Sequence, residues 1–111
     1  MSCKRYDIHW VELDPARGSE LRKTRPAVIV SLDVLNRALE TVVVCPLTSQ
    51  LHPEWRTRLP VKVKGKPAEI AADQIRTVSK GRLGKKLTSL STHDAAALRR
   101  LLGEMYAESQ V

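Results

Sequence analysis

Phenylalanine is absent from the 111 residues, and Tyr6, Trp10, Trp55 and Tyr106 are the whole aromatic content. Such a chain lacks the aromatic platform on which RNA-recognition sheets stack bases, and its core must be aliphatic, packed from Leu, Val, Ile and Ala. Cysteine is equally scarce. Cys3 and Cys45 form neither a disulfide framework nor a metal cluster, and His9, His52 and His93 are scattered with no ligand spacing among them. A reduced, metal-free, cytoplasmic protein without cofactor is the expectation that follows. The N-terminus lacks the apolar core of a signal peptide, and no run approaches the ~18 apolar residues that a membrane span needs. Acidic residues are outnumbered: nineteen Lys and Arg stand against twelve Asp and Glu, a formal charge of +7. That balance favours polyanionic partners, nucleic acid first; a merely soluble basic protein is the alternative.

What is present reads as one domain spanning residues 1–111, long enough to bury ~65% of its unfolded surface. There are no repeats, low-complexity tracts or linkers. Tyr6 to Leu13 alternates apolar and polar residues, then changes phase between Trp10 and Val11, as a strand does with a bulge or with two covered faces. Asp14 to Gly18 is turn chemistry, and a polar loop runs on to Thr24. Ala27 to Val30 is a continuous apolar run, a strand buried on both faces. Ser31 or Asp33 can cap about one helical turn that Asn36 would stop. Thr41 to Thr48 is a β-branched strand whose Pro46 should break the ladder and turn Leu47, Thr48 and Ser49 out of the sheet.

A loop follows from Gln50 to Thr57. Leu59, Val61 and Val63 then alternate with Arg58, Lys62 and Lys64, an edge strand with a charged outer face. After the turn at Lys64 to Pro67, the stretch Ala68 to Val78 is one long strand or two short ones broken near Asp73. Lys80 to Lys86 is a basic connector before a short run from Leu87 to Leu90. Ser91-Thr92-His93-Asp94 has the form of a capping box, and Ala95, Leu98, Leu101, Leu102 and Met105 then share one helical stripe, extended by Tyr106. Short strands, punctuated turns and one closing amphipathic helix predict a mainly β fold, a small, strongly curved antiparallel barrel.

Arg25 is the position where chemistry and scaffold meet. Pro26 biases it toward an extended conformation, so it starts the strand that runs into the apolar core. A guanidinium fixed at a strand root is a rigid, planar donor fork suited to phosphate; the other reading is one more surface cation.

Five fragments in this order and spacing carry a resemblance: Asp7 to Pro15, the loop Arg17-Gly18-Ser19-Glu20 leading to Thr24-Arg25-Pro26-Ala27-Val28-Ile29-Val30, the pair Asn36-Arg37, the strand end Pro46-Leu47-Thr48-Ser49, and Asp73 to Val78. Together they resemble the MazF/PemK family of toxins from toxin-antitoxin pairs, over nearly the whole length. The resemblance implies an SH3-like barrel of the CcdB/PemK type with a short internal helix and a C-terminal helix, dimerising through a broad face. It also implies an endoribonuclease that cuts single-stranded RNA at short sequences without metal, the 2′-hydroxyl attacking the adjacent phosphate to leave a 2′,3′-cyclic phosphate and a 5′-hydroxyl.

That reaction needs charge stabilised on the non-bridging oxygens, a base for the 2′-hydroxyl and an acid for the leaving oxygen. The resemblance implies Arg25 for charge stabilisation and placement, since a guanidinium is a poor acid at neutral pH. It implies Thr48 for one hydrogen bond to the same phosphate, against a local backbone role for that hydroxyl. Glu20 matches a family glutamate that could take the proton, and equally could pair with Arg22, Lys23 or Arg25. Asp73 matches an acid that some relatives pair with an arginine two positions earlier, where this chain has Ala71; a histidine that some carry in the loop is Ser19 here. His52 reads as a loop surface histidine.

RNA contacts are expected from Arg17, Ser19, Lys23, Ser49, Asp73, Gln74 and Arg76, with Lys80, Arg82, Lys85 and Lys86 as an electrostatic reserve that positions rather than specifies. The implied protein partner is an antitoxin whose acidic disordered tail lies over the basic groove. Two other classes stay open: a gyrase poison of the same barrel, against which the ending Tyr106 to Val111 speaks because it lacks a Trp-Gly-Ile signature, and a non-catalytic RNA-binding module.

Overall fold

A computed structural model of the chain describes residues 2–13, 18 and 23–108. The turn and loop readings at Asp14 to Arg17 and Ser19 to Arg22 lie outside the described residues, and with them the site expectations at Arg17, Ser19 and Glu20.

Among the described residues, seven strands and two α-helices follow in the order β1 (Asp7–Glu12), β2 (Thr24–Ile29), α1 (Asp33–Ala38), β3 (Thr41–Thr48), β4 (Arg58–Val63), β5 (Lys66–Ala71), β6 (Arg76–Ser79), β7 (Leu83–Ser89) and α2 (Thr92–Met105). All pairings are antiparallel, in the order β4-β5-β3-β2-β1-β7, with β6 beside the first half of β3. The sheet curls into a half-barrel with α2 as its main helix, the expected architecture.

Both faces of the central strands are covered. On one face Ile8, Val28, Cys45, Leu47 and Ile70 pack with Leu98 of α2, while Val11, Leu13, Ala27, Ile29, Val44 and Val78 form a second cluster on the other. Residues of opposite parity in one strand point to opposite faces. Ile8 and Val11 therefore belong to different cores, which accounts for the phase change read in β1. The irregular register lies in the partner strand: between His9↔Lys86 and Val11↔Leu83, β7 spends one residue more than β1. Gly84 falls in that bulge, where a Cβ would stand 3.3 Å from the Trp10 carbonyl oxygen.

Several local expectations are revised. β3 runs straight through Pro46 to Thr48. Thr41 to Val44 pair with β6, whereas Leu47 and Thr48 pair with β5. The residue without an N–H thus sits where the strand changes partner and no donor is required. Asn36 does not stop α1; it is buried inside it, its Nδ2 donating to the Ser31 carbonyl at 2.9 Å while Ser31 Oγ accepts from the Val43 amide at 3.0 Å. These bonds brace the α1–β3 connection, and α1 has no side-chain N-cap. β7 starts at Leu83, earlier than the Leu87 to Leu90 run. Arg58 does not face solvent from the edge strand: its side chain is 5% exposed. Asp73 lies in a single 3-10 turn, Ala72–Gln74, that divides β5 from β6, and of the predicted capping box the Ser91 N-cap forms, the Asp94 amide donating to Ser91 Oγ at 3.1 Å. Tyr106 is exposed, beyond the helix stripe.

Candidate functional site

The site is built where β2 begins and β3 ends. Val11 pairs with Arg25 across β1 and β2. The β2–β3 register runs through Ile29↔Val44, Val28↔Cys45 and Ala27↔Pro46, so Arg25 and Thr48 lie just past its last pair, near the start of β2 and at the end of β3. Thr48 in turn pairs with Glu69 of β5. Directly opposed residues in antiparallel strands share a face at ~4.5–5.5 Å. Thr48 and Glu69 therefore share a face, the side of Val44. Arg25 and Thr48, widely separated in sequence, meet at one place in the fold.

Both also line one cavity of about 320 Å³, with Lys23, Ser49, Trp10 and Pro26 among its other walls. The cavity draws on both faces of the sheet because it opens at the strand ends. Lys23 holds a left-handed backbone, φ 67°, immediately before the strand, and Arg25 is half-buried beside it. Thr48 is 3% exposed, and its Oγ1 accepts the Gln50 amide at 3.1 Å. That bond is the local backbone role weighed above. It uses one lone pair and leaves the hydroxyl proton for another acceptor. None of His9, His52 and His93 lines this cavity.

Asp73, Gln74 and Arg76 do not line it either. Arg76 pairs with Val44, four residues before Thr48 along β3 and so ~13 Å away, and its Nη1 donates to the Leu13 carbonyl at 3.0 Å. Asp73 Oδ1 accepts Arg58 Nε at 3.0 Å. Cys45 is buried in β3, its thiol pushed up to about 12 by burial, with the Asp73 charge adding to the effect, so it is no nucleophile at neutral pH.

Sequence reasoning passed over Glu69 and Arg58. Glu69 is 1% exposed and its Oε1 accepts the His52 amide at 2.8 Å, with Arg58 Nη1 4.0 Å away. Arg58 lies over the Trp55 ring at 4.8 Å, and His52 stacks on Trp55 at 3.9 Å with 7° between planes. The signal was a lone acid amid Ala68, Ile70, Ala71 and Ala72, overshadowed by Asp73.

Residues 4–106 match the family model described as PemK-like, MazF-like toxin of type II toxin-antitoxin system. The chain is 34% identical over 96 residues to an endoribonuclease MazF of Staphylococcus saprophyticus, covering 79% of this chain and 78% of that protein. It is 33% identical over 98 residues to the endoribonuclease EndoA of Bacillus subtilis, covering 81% and 82%. Its fold is similar to that of a crystal structure of MazF from Deinococcus radiodurans, with TM-score 0.82, 22% identity and 97% and 99% of the two chains covered. An endoribonuclease in complex with its cognate antitoxin, from a mycobacterial species, superposes with TM-score 0.81 at 20% identity, covering 99% and 100%.

Proposed function

Because the chain belongs to the family of PemK-like, MazF-like toxins of type II toxin-antitoxin systems, we propose that it is the toxin of such a pair, an endoribonuclease that cuts single-stranded RNA in the cytoplasm and so inhibits translation. The names of its relatives as endoribonucleases support the activity. The observation that carries the mechanism is that Arg25 and Thr48 line one cavity.

The Arg25 fork holds the non-bridging oxygens of the scissile phosphate, where charge grows as the 2′-hydroxyl attacks. Thr48 donates a hydrogen bond from its hydroxyl to the same phosphate, and Glu20 takes the proton from the 2′-hydroxyl. The bond to the 5′-oxygen breaks and that oxygen takes a proton from water, leaving a 2′,3′-cyclic phosphate and a 5′-hydroxyl. Lys23 and Ser49 of the same cavity wall, with Arg17, Ser19, Asp73, Gln74 and Arg76 beyond it, hold the flanking nucleotides. The protein works as a homodimer, and an antitoxin with an acidic tail masks the cationic face, as the antitoxin complex of a structural relative suggests.

The test is a defined single-stranded RNA incubated with purified protein in EDTA, with both new ends identified chemically. Cleavage that survives the chelator and leaves cyclic phosphate and 5′-hydroxyl ends is the expected result. Intact RNA that is nonetheless bound would replace the nuclease with a non-catalytic RNA-binding module.

A further inference from the structure

Glu69 is the most demanding side chain near the site. A carboxyl group this deep is tolerated only with compensating partners, and its partners come from elsewhere in the fold. Its Oε1 accepts the His52 amide at 2.8 Å. Arg58, almost as buried, stands 4.0 Å away and also donates to Asp73 at 3.0 Å. Trp55, itself exposed, is stacked with His52 and lies against the Arg58 guanidinium. The segment between β3 and β4 is thereby closed onto one carboxylate of β5.

That segment leaves directly from Thr48. Its second residue, Gln50, donates its amide to Thr48 Oγ1 at 3.1 Å, and only Leu51 separates Gln50 from the anchored His52. Two residues of chain span at most ~7 Å, so fixing the His52 amide confines the Gln50 amide. The anchor and the group it serves are also neighbours, since Thr48 and Glu69 are opposed in the β3–β5 register.

Resting on the reading that Thr48 serves the phosphate, we propose that Glu69 is a positioning residue for that threonine. By holding the His52 amide it keeps the Gln50 N–H on Thr48 Oγ1, and this leaves the hydroxyl proton aimed at the substrate. The carboxylate does not touch RNA: 1% exposure gives it no surface to do so. Its role is fixed by the acceptor oxygen, and its negative charge serves chiefly to compensate Arg58.

The acceptor and the charge are separable. Glu69→Ala removes both, whereas Glu69→Gln keeps an oxygen for His52 and removes only the charge. At a temperature where circular dichroism shows each variant folded, Glu69→Ala should lower kcat about 10- to 100-fold, the scale of a slight misplacement, with KM changed less than about threefold. Glu69→Gln should recover kcat to within about threefold of the parent protein. An unchanged kcat in Glu69→Ala, a loss carried by KM, or a Gln variant as slow as the Ala variant would each overturn the proposal.

Should Glu69→Ala fail to fold, because Arg58 is left buried beside Asp73 alone, the pair Glu69→Ala with Arg58→Met removes the stranded charge. It should remain slow, and a parental kcat there would refute the role. Amide hydrogen exchange at Gln50 and His52, followed without RNA, reads the anchor independently of cleavage. It should quicken in Glu69→Ala and hold in Glu69→Gln, and no change in the Ala variant refutes the anchor. If the parent protein itself fails to cut RNA, the nuclease reading falls, while the exchange data still decide whether Glu69 holds this loop.

Discussion

A guanidinium beside a proline at a strand root has few places to go, and Arg25 was legible for that reason: Pro26 restricts its backbone and the apolar run behind it fixes the strand. Thr48 was legible only through family likeness, because a lone threonine at a strand end carries no signal of its own. Glu69 was not legible at all. What makes a buried carboxylate tolerable is Arg58 from the neighbouring strand and the His52 amide, 17 residues earlier, and neither partner is visible in the local pattern. Cys45 makes the residue-scale prediction. Its raised pKa means that the folded chain holds the thiol proton where the unfolded chain gives it up, so stability is lost as pH rises from about 9 toward 12. Iodoacetamide at pH 8.5 should label partly exposed Cys3 and spare Cys45, and both should react in denaturant. Mass spectrometry of the native reaction decides it, and rapid labelling of Cys45 would show that β3 opens at this point.

Elements were easiest to read where their signals are local. The capping box at Ser91 and the stripe Ala95, Leu98, Leu101, Leu102 and Met105 specify α2 almost unaided, and the structure packs that stripe against the Ile8 and Val28 side of the sheet. Removing the cap by Ser91→Ala should cost about 1 kcal/mol, a fall in Tm of roughly 4 °C, with kcat unaltered because α2 does not line the Arg25 cavity. Thermal denaturation beside an activity assay checks both halves. Strands were harder, since their meaning depends on distant partners. Pro46 looks like a strand breaker until β3 is seen to exchange β6 for β5 at that point, and Arg58 looks like an outward edge cation until its contacts with Glu69 and the Trp55 ring are seen. The Lys64-Gly65 turn narrows to two residues of positive φ, the backbone that a tight hairpin between β4 and β5 demands.

At the scale of the molecule, a mainly β chain with one terminal helix and a charge of +7 was enough to predict a curved antiparallel barrel meeting a polyanion. The meeting of β2, β3 and β5 beside the site was not predictable from pattern, because it depends on two non-local registers. Residues 25 and 48 share one cavity, and the functional account requires them to act on one phosphodiester. A double-mutant cycle on kcat/KM for RNA cleavage, using Arg25→Lys, Thr48→Val and both together, tests this most directly. Each single change should cost about 10²- to 10³-fold, and the double variant should fall within about tenfold of the slower single. Losses that multiply in full would show two independent groups serving different steps, and would contradict a shared phosphate.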